Sequence, residues 1–287
     1  MEKSINNISE NITFNNKLIN LVIDFSREKN SQELKKITEI LHSADLADLL
    51  TFLDSDQRSF LLSTLDESKY TEVLSELDEN IASETILKLK DDEVVRSISE
   101  METDDAVNLI ESLEPEEQKK LLAKVNPDDR ELIEESFNYP EDTAGRRMQK
   151  EFVSMPAFWS VGQAIDYLRE NPELPDDFFE IFIVDPLNKP IGSASVSKVL
   201  RSERNTKLDD ILDTSPKFLK ASMDQEEAAQ FFEQYSLVSA GVVDEHNRLI
   251  GRITADDIVW VLQEEAEEDI LRLGGVTESE TNKSIVR

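Results

Sequence analysis

Apolar residues recur every 12 positions through much of the first half of the chain. A residue that caps helices or begins turns closely follows most of them, as in Asp54-Ser55 and Asn126-Pro127. Each repeat therefore predicts one short helix and one turn. Because so short a helix cannot bury its apolar stripe alone, the repeats predict an all-α superhelix of stacked helices. The periodic residues are Leu41, Leu53, Leu65, Leu77, Leu89, Met101, Leu113, Val125 and Phe137.

The chain ahead of this series predicts a polar start and then helix. Residues 18–25 carry apolar side chains at helical spacing. Ser31 is predicted to cap a following helix that contains Leu34 and Ile37.

A different repeat begins after residues 139–145, where proline and glycine interrupt the helical pattern. Val184-Asp185 and Ile191-Gly192 recur 59 residues later as Val243-Asp244 and Ile250-Gly251. Each copy predicts a helix, a strand, a turn, a second strand and another helix, so this half predicts one α/β unit present twice. The first helices of the copies are predicted at 161–169 and 226–235, and the first strands at 179–184 and 240–243.

The stretch Gly251–Gly275 predicts an amphipathic helix. On a helical projection Asp257, Glu264 and Glu268 fall within an arc of about 40 degrees, and we call these three residues the acidic ridge. Carboxylates crowded in this way form either a solvated face or a place for a hard divalent cation such as Mg²⁺ or Ca²⁺. The residues predicted on the apolar side are Val259, Leu262, Ala266, Ile270 and Leu273.

The composition narrows the classes of function. A length of 287 residues suffices for two or three domains, and a formal net charge of −31 argues against nucleic-acid binding. The chain has no cysteine, no recognisable secretory signal and no apolar run of membrane-spanning length, so the sequence predicts a soluble, cytoplasmic protein. His42 and His246 lie far apart in sequence and no glycine-rich phosphate loop is present, so we do not expect an enzyme.

The two α/β copies resemble a tandem pair of CBS domains, with Gly192-Ser193-Ala194-Ser195 and Gly251-Arg252-Ile253-Thr254 at the strand-to-helix turns. Together with the helical repeats, the connector 139–148 and the acidic run 264–270, they resemble the cytosolic region of MgtE-type magnesium transporters. This resemblance implies a helical N domain over 1–139, CBS domains over 140–204 and 205–262, and an acidic connecting helix over 263–287. It also implies a homodimer through the CBS domains, a membrane pore domain as partner and a location at the cytoplasmic side of the plasma membrane.

The resemblance further implies ligands for Mg²⁺ where the helical domain, the second CBS domain and the connecting helix meet. For Asp104 a role in capping a helix is an equal alternative. The implied ligands are Glu72, Asp104, Asp224, Glu226, Asp257, Glu265, Glu268 and Asp269.

The residues 251–257 also fit the pattern by which CBS domains hold the ribose of a nucleotide such as ATP, with Thr254 and Asp257 one helical turn apart. In the first copy Lys198 replaces the acid, so at most one well-formed nucleotide site is expected. The resemblance therefore implies a cytosolic Mg²⁺ sensor that gates a magnesium transporter. The alternatives are a CBS module that responds to adenine nucleotides and an acidic scaffold that recruits a basic partner.

Overall fold

A computed structural model describes residues 16–175, 177–213 and 217–273. The chain divides into two compact units, Met1–Ile133 and Glu134–Arg287. The domain boundary predicted after Tyr139 lies a short way beyond this division. Within the described ranges, no helix combines the length and the hydropathy needed to cross a lipid bilayer.

The first unit is built from short α-helices, which agrees with the predicted helical repeat. From α3 onward each helix begins 12 residues after the one before it, at the spacing of the apolar series. The helices are α1 Asn16–Arg27, α2 Ser31–Thr38, α3 Ser43–Thr51, α4 Ser55–Leu62, α5 Glu67–Ser75, α6 Glu79–Ile86, α7 Asp91–Ile98, α8 Thr103–Glu111, α9 Pro115–Leu122 and α10 Pro127–Ser136, the last of which continues into the second unit.

Side-chain caps set several of these helix starts. Asp54 and Gln57 form a reciprocal capping box at the start of α4, and the Asp66 carboxylate accepts a hydrogen bond from a backbone N–H at the start of α5. The prediction of a cap at Ser31 is wrong by one residue. Asn30 caps α2 instead, because its side-chain oxygen accepts a hydrogen bond from the backbone N–H of Glu33.

Helices of the first unit pack against helices one to three places along the chain, and a spacing of two places recurs. The pairs α3 and α5, α4 and α6, α5 and α7, and α6 and α8 are in contact. Fully buried leucines such as Leu49, Leu61 and Leu74 fill the space between them. Polar links follow the same spacing, since the Arg58 guanidinium binds the Glu84 carboxylate at 2.9 Å. The superhelix is therefore held together by contacts between near neighbours in sequence.

The described residues of the second unit form two three-stranded sheets of the same design. In each sheet the first strand is parallel to the second, and the second is antiparallel to the third. The first copy comprises β1 Ser154–Pro156, α11 Val161–Glu170, β2 Glu180–Val184, β3 Pro190–Ser195 and α12 Val196–Arg201. The second comprises β4 Phe218–Lys220, α13 Gln225–Tyr235, β5 Ser239–Val243, β6 Leu249–Thr254 and α14 Ala255–Leu273.

The two copies repeat each other in detail, which confirms the repeat of 59 residues. Ile183 faces Gly192 in the first sheet, and Val242 faces Gly251 in the second. Both hairpins turn through an asparagine in the left-handed region, with φ of 60° at Asn188 and 57° at Asn247. Asparagine and glycine tolerate this conformation better than other residues do.

The last strand of each copy also pairs with a short segment that precedes the other copy. We call these two segments the borrowed segments. Gln149, ahead of the first copy, pairs with Arg252 in β6, and Asp213, ahead of the second copy, pairs with Ser193 in β3. The carbonyl oxygen of Gln149 would lie 2.7 Å from a Cβ at Gly251. These close approaches explain why glycine occupies the strands there.

The acidic C-terminal helix is the continuous α14, and the predicted division between 262 and 263 falls inside it. Its apolar face differs from the prediction. Ile258 and Val261 are buried in the core of the second copy, whereas Val259 and Leu262 of the predicted stripe are exposed. The helix therefore packs on its own unit through one face and presents a second apolar face outward.

Candidate functional site

Asp257 occupies the first turn of α14, where one oxygen of its carboxylate is held by several hydrogen bonds. This Oδ2 atom accepts from the backbone N–H of Thr254 at 3.0 Å, from the Thr254 hydroxyl at 2.7 Å and from the Gln149 amide at 3.3 Å. The structure thus brings together Thr254 and Asp257, the two residues predicted to hold a ribose. Their direct bond is also the geometry of a helix cap, in which each satisfies the other.

The next carboxylates along α14 are engaged from outside the helix. The Arg147 guanidinium donates a hydrogen bond from Nη2 to Glu264 Oε2 at 2.7 Å and from Nε to Gln225 Oε1 at 3.0 Å. The Gln225 amide in turn donates to Glu265 Oε1 at 2.9 Å. Arg147 and Gln225 were not predicted from the sequence, because residues 78 and 117 positions apart carry no local signal of their contact.

Asp224 and Glu226 lie at the start of α13 with exposed side chains. The Asp224 carboxylate caps the helix by accepting a hydrogen bond from the backbone N–H of Glu226 at 2.9 Å, and Glu226 accepts one from Gln230 at 3.2 Å. Both carboxylates can reach water and a hydrated cation.

Glu72 and Asp104 belong to the first unit. Glu72 lies on α5 with an exposed side chain whose carboxylate accepts hydrogen bonds from the hydroxyls of Ser43 and Ser68. Asp104 is 3% exposed and lies in the first turn of α8, after the cap position at Glu102. Asp104 therefore does not occupy the cap position. It lies in the first turn, where the helix dipole stabilises its negative charge.

Glu268 and Asp269 lie on α14, but their side chains are outside the described residues. Among the side chains that the structure does describe, no three of His, Cys, Asp or Glu are grouped closely enough to hold a metal ion. The predicted donors are nonetheless all carboxylate oxygens, the ligand type that Mg²⁺ prefers. Because Mg²⁺ keeps much of its water, it can bind such carboxylates without a closed cage of protein ligands.

The first α/β copy contains a cavity of about 380 Å³ at the turn between β3 and α12. Burial raises the pKa of the Glu180 carboxyl inside it, the negative charge of Asp213 adds to the rise, and a hydrogen bond from Ser193 opposes it. Lys198 offers a positive charge in the same cavity. The sequence analysis placed the better nucleotide site in the second copy and did not predict this cavity in the first copy. The lining residues are Glu180, Ser193, Ala194, Ser195, Lys198, Leu212 and Asp213.

Comparison with known proteins gives the order of the domains. The model of the MgtE intracellular N domain matches residues 41–142, and the CBS domain model matches residues 208–264. The magnesium transporter MgtE of Bacillus subtilis is 33% identical over 132 residues, which is 46% of this chain and 29% of the relative. The magnesium transporter MgtE of Thermus thermophilus is 31% identical over 144 residues, or 50% of this chain and 32% of the relative.

The fold matches a solved structure over a longer stretch. A crystal structure of the cytosolic domain of the Mg²⁺ channel MgtE in complex with ATP covers 82% of this chain and 96% of its own, with 26% identity and a TM-score of 0.77. The matched part of our chain spans about a third of the length of the curated transporters. The chain therefore contains an MgtE N domain followed by a CBS domain pair, and it is homologous to the cytosolic region of MgtE magnesium transporters.

Proposed function

We propose that this chain is the cytosolic, Mg²⁺-sensing regulatory region of a magnesium transporter. The observation that carries the proposal is the order of its parts, an MgtE N domain, a CBS pair and an acidic helix, along a chain similar to the cytosolic domain of a Mg²⁺ channel. In this role the region lies at the cytoplasmic side of the membrane and is joined to a pore domain, and α14 transmits its state.

Electrostatics supply the mechanism of sensing. At a formal net charge of −31 the carboxylates repel one another, and a facing pair about 4 Å apart costs roughly 4 kcal/mol at an effective dielectric of 20. A divalent cation held by carboxylates of the two units replaces that repulsion with attraction. Because such a cation binds only the closed arrangement, it shifts the population toward a compact state. The hinge of this movement is expected before Asp142, because residues 142–145 are hydrogen-bonded to the second α/β copy.

Small-angle X-ray scattering tests this mechanism. We expect the radius of gyration to be smaller in millimolar Mg²⁺ than in EDTA at matched ionic strength. Monovalent salt should not reproduce the effect, since screening reduces repulsion without bridging carboxylates. The combined variant Asp257→Asn, Glu265→Gln and Glu268→Gln should respond less to Mg²⁺ while keeping its helical content by circular dichroism. Scattering curves of the unaltered protein that overlay with and without Mg²⁺ would refute the proposal.

A second candidate function is the binding of adenine nucleotides by the CBS pair. Two observations favour it: the similar channel domain was crystallised with ATP, and the cavity near Lys198 has a volume within the usual range for small-molecule sites. Lys198 can pair with a phosphate, and the carboxylates of Glu180 and Asp213 can accept hydrogen bonds from ribose hydroxyls. The second copy offers Thr254 and Asp257 instead.

Calorimetric titration with ATP in EDTA distinguishes the two copies. If the first copy binds ATP, Lys198→Glu should weaken binding at least tenfold, whereas Thr254→Val should leave it unchanged. If the second copy binds, Thr254→Val should weaken binding about fivefold, since it removes a hydrogen bond worth roughly 1 kcal/mol. A lack of any heat with the unaltered protein would remove the nucleotide candidate.

The outward apolar face of α14 supports a homodimer through the CBS pair. Val259 is 62% exposed and Trp260 is 50% exposed, and Leu200 on α12 is 64% exposed. Apolar side chains exposed in this way favour association with another surface. We expect light scattering to give the mass of a dimer, and Trp260→Glu to shift it toward the monomer.

A further inference from the structure

We propose that Arg147 is a built-in counter-ion of the acidic ridge and that it lowers the affinity of this ridge for Mg²⁺. The inference rests on the proposed function, since it concerns the same Mg²⁺-binding surface. It assigns a role to a side chain of the connector, which neither the metal ligands nor the nucleotide candidates include. Its basis is the ion pair between Arg147 and Glu264 at 2.7 Å.

The backbone holds Arg147 in place before any metal arrives. On one side the N–H groups of Ala144 and Gly145 donate to the carbonyl oxygens of Met223 and Ala221, at 2.8 and 2.9 Å. On the other side Gln149 exchanges two backbone hydrogen bonds with Arg252 in β6. Arg147 therefore lies on a segment fixed at both ends, and its guanidinium is presented to α14 without a large loss of freedom.

The guanidinium and one buried amide together engage two adjacent carboxylates. The side chain of Arg147 is 19% exposed and that of Glu264 is 36% exposed, so their attraction is less screened than that of a pair at the open surface. Gln225 is 3% exposed, accepts from Arg147 and donates to Glu265. The guanidinium, the amide and the two carboxylates thus form one connected group of hydrogen bonds.

Mg²⁺ must compete with this group for the same oxygens. Glu264 lies one helical turn before Glu268 and two turns after Asp257 on the acidic ridge, and Glu265 is itself a predicted ligand. A cation that binds there either displaces the guanidinium from Glu264 or binds beside a positive charge. Both routes cost affinity. Arg147 therefore raises the Mg²⁺ concentration at which the ridge is occupied, and in Mg²⁺-free solution it neutralises one charge of the ridge, that of Glu264.

Neutral substitution of Arg147 tests this inference against a matched control. Arg147→Gln removes one positive charge, and so does Arg204→Gln, whose guanidinium pairs with Asp166 at 2.6 Å on the first copy. By calorimetric titration with MgCl₂, we expect Arg147→Gln to lower the apparent dissociation constant by roughly fivefold relative to Arg204→Gln, the size of effect of one charge near a divalent ion in water. Arg147→Lys, which keeps the charge, should stay near the unaltered protein.

Thermal unfolding separates a counter-ion from a merely structural residue. Without Mg²⁺ the Arg147→Gln protein should melt at a lower temperature than the unaltered protein, and saturating Mg²⁺ should restore more of the difference than it does for Arg204→Gln. Adding Glu264→Gln to Arg147→Gln should cancel the gain in Mg²⁺ affinity. An equal loss of melting temperature with and without Mg²⁺ would overturn the inference, as would an unchanged or weaker affinity of Arg147→Gln. Failure of the unaltered protein to bind Mg²⁺ would instead overturn the proposed function.

Discussion

The two α/β copies share their strand order, register and turn geometry. They differ at the turn between the last strand and the helix that follows it. In the second copy the carboxylate at the turn before α14, that of Asp257, accepts hydrogen bonds from Thr254 and from the amide of Gln149. In the first copy the equivalent turn opens onto a cavity with Lys198 and Asp213 in its lining.

The difference originates partly in the repeated residues, since Lys198 stands in the first copy where the second has Asp257, and partly in the borrowed segments. Gln149 and Asp213 occupy matching places, each paired with the last strand of the other copy, but one carries an amide and the other a carboxylate. The amide can donate to the neighbouring aspartate, whereas a carboxylate beside Lys198 can only accept. Two copies of one fold therefore acquire different sites when both the residues at the turn and the segment packed against it differ.

The largest loss of stability is expected from truncation of the side chain just before Gln149 or just before Asp213. Met148 is fully buried in the core of the second copy, whereas Leu212 lies at the edge of the first core and lines the cavity. Met148→Ala should lower the free energy of unfolding by about 2–5 kcal/mol and Leu212→Ala by about 1–2 kcal/mol. Trp159 and Trp260 both lie in the second unit, so urea unfolding followed by tryptophan fluorescence measures it. Equal losses would mean that the two segments are packed alike.

The next largest loss of stability is expected when a Cβ is added at the glycine that each borrowed segment approaches. At Gly251 it would lie 2.7 Å from the carbonyl oxygen of Gln149, and at Gly192 it would lie 2.6 Å from that of Asp213. Because a backbone oxygen cannot rotate away, Gly251→Ala and Gly192→Ala should each cost about 1–3 kcal/mol in the same urea experiment. A neutral result for one of them would show that its borrowed segment can move aside.

The hairpin asparagines give a weaker effect. The Asn188 side chain donates to the carbonyl oxygen of Leu249 at 2.8 Å and so joins the first copy to the second. Among the described residues no equivalent bond joins Asn247 to the first copy. Glycine suits the positive φ at both places, so Asn188→Gly should cost about 1 kcal/mol more than Asn247→Gly. If both variants unfold at the same urea concentration, this bond contributes nothing to the pairing of the copies.

The smallest expected effect is a pH dependence of stability caused by Glu180 in the first copy. Burial and the nearby Asp213 raise the pKa of Glu180 in the folded protein, so the folded protein binds this proton more tightly than the unfolded chain does. That preference stabilises the fold below the unfolded pKa of about 4.3 and is lost as pH rises through the folded value. Glu180→Gln avoids the loss, so its melting temperature should exceed that of the unaltered protein by about 1–2 °C at pH 8.

Measured between pH 5 and pH 8, the difference should grow with pH and then level off. A constant difference would mean that Glu180 does not titrate in this range. The second copy supplies the control, since the Thr254→Val variant should show no comparable change with pH.

Elements that depend on neighbouring residues could be predicted from the amino-acid sequence. The helices of the first unit begin where the 12-residue pattern predicts, because capping residues and apolar spacing act within one or two turns. The repeat of 59 residues predicted two matching sheets, because the alternation of residues in each strand specifies its register locally. The resemblance to MgtE cytosolic regions rested on the same local patterns and their order.

The partners of the functional side chains could not be predicted in this way, because they come from the folding of distant segments together. The projection of α14 predicted an apolar stripe through Val259 and Leu262, but the helix buries Ile258 and Val261, since the sheet beneath it selects the face that is covered. Glu264 meets Arg147 across 117 positions of sequence, a contact created by strand pairing and not by spacing along one helix. A helix repeats its faces by local geometry, whereas the charge that neutralises each face comes from whichever segment the fold brings beside it.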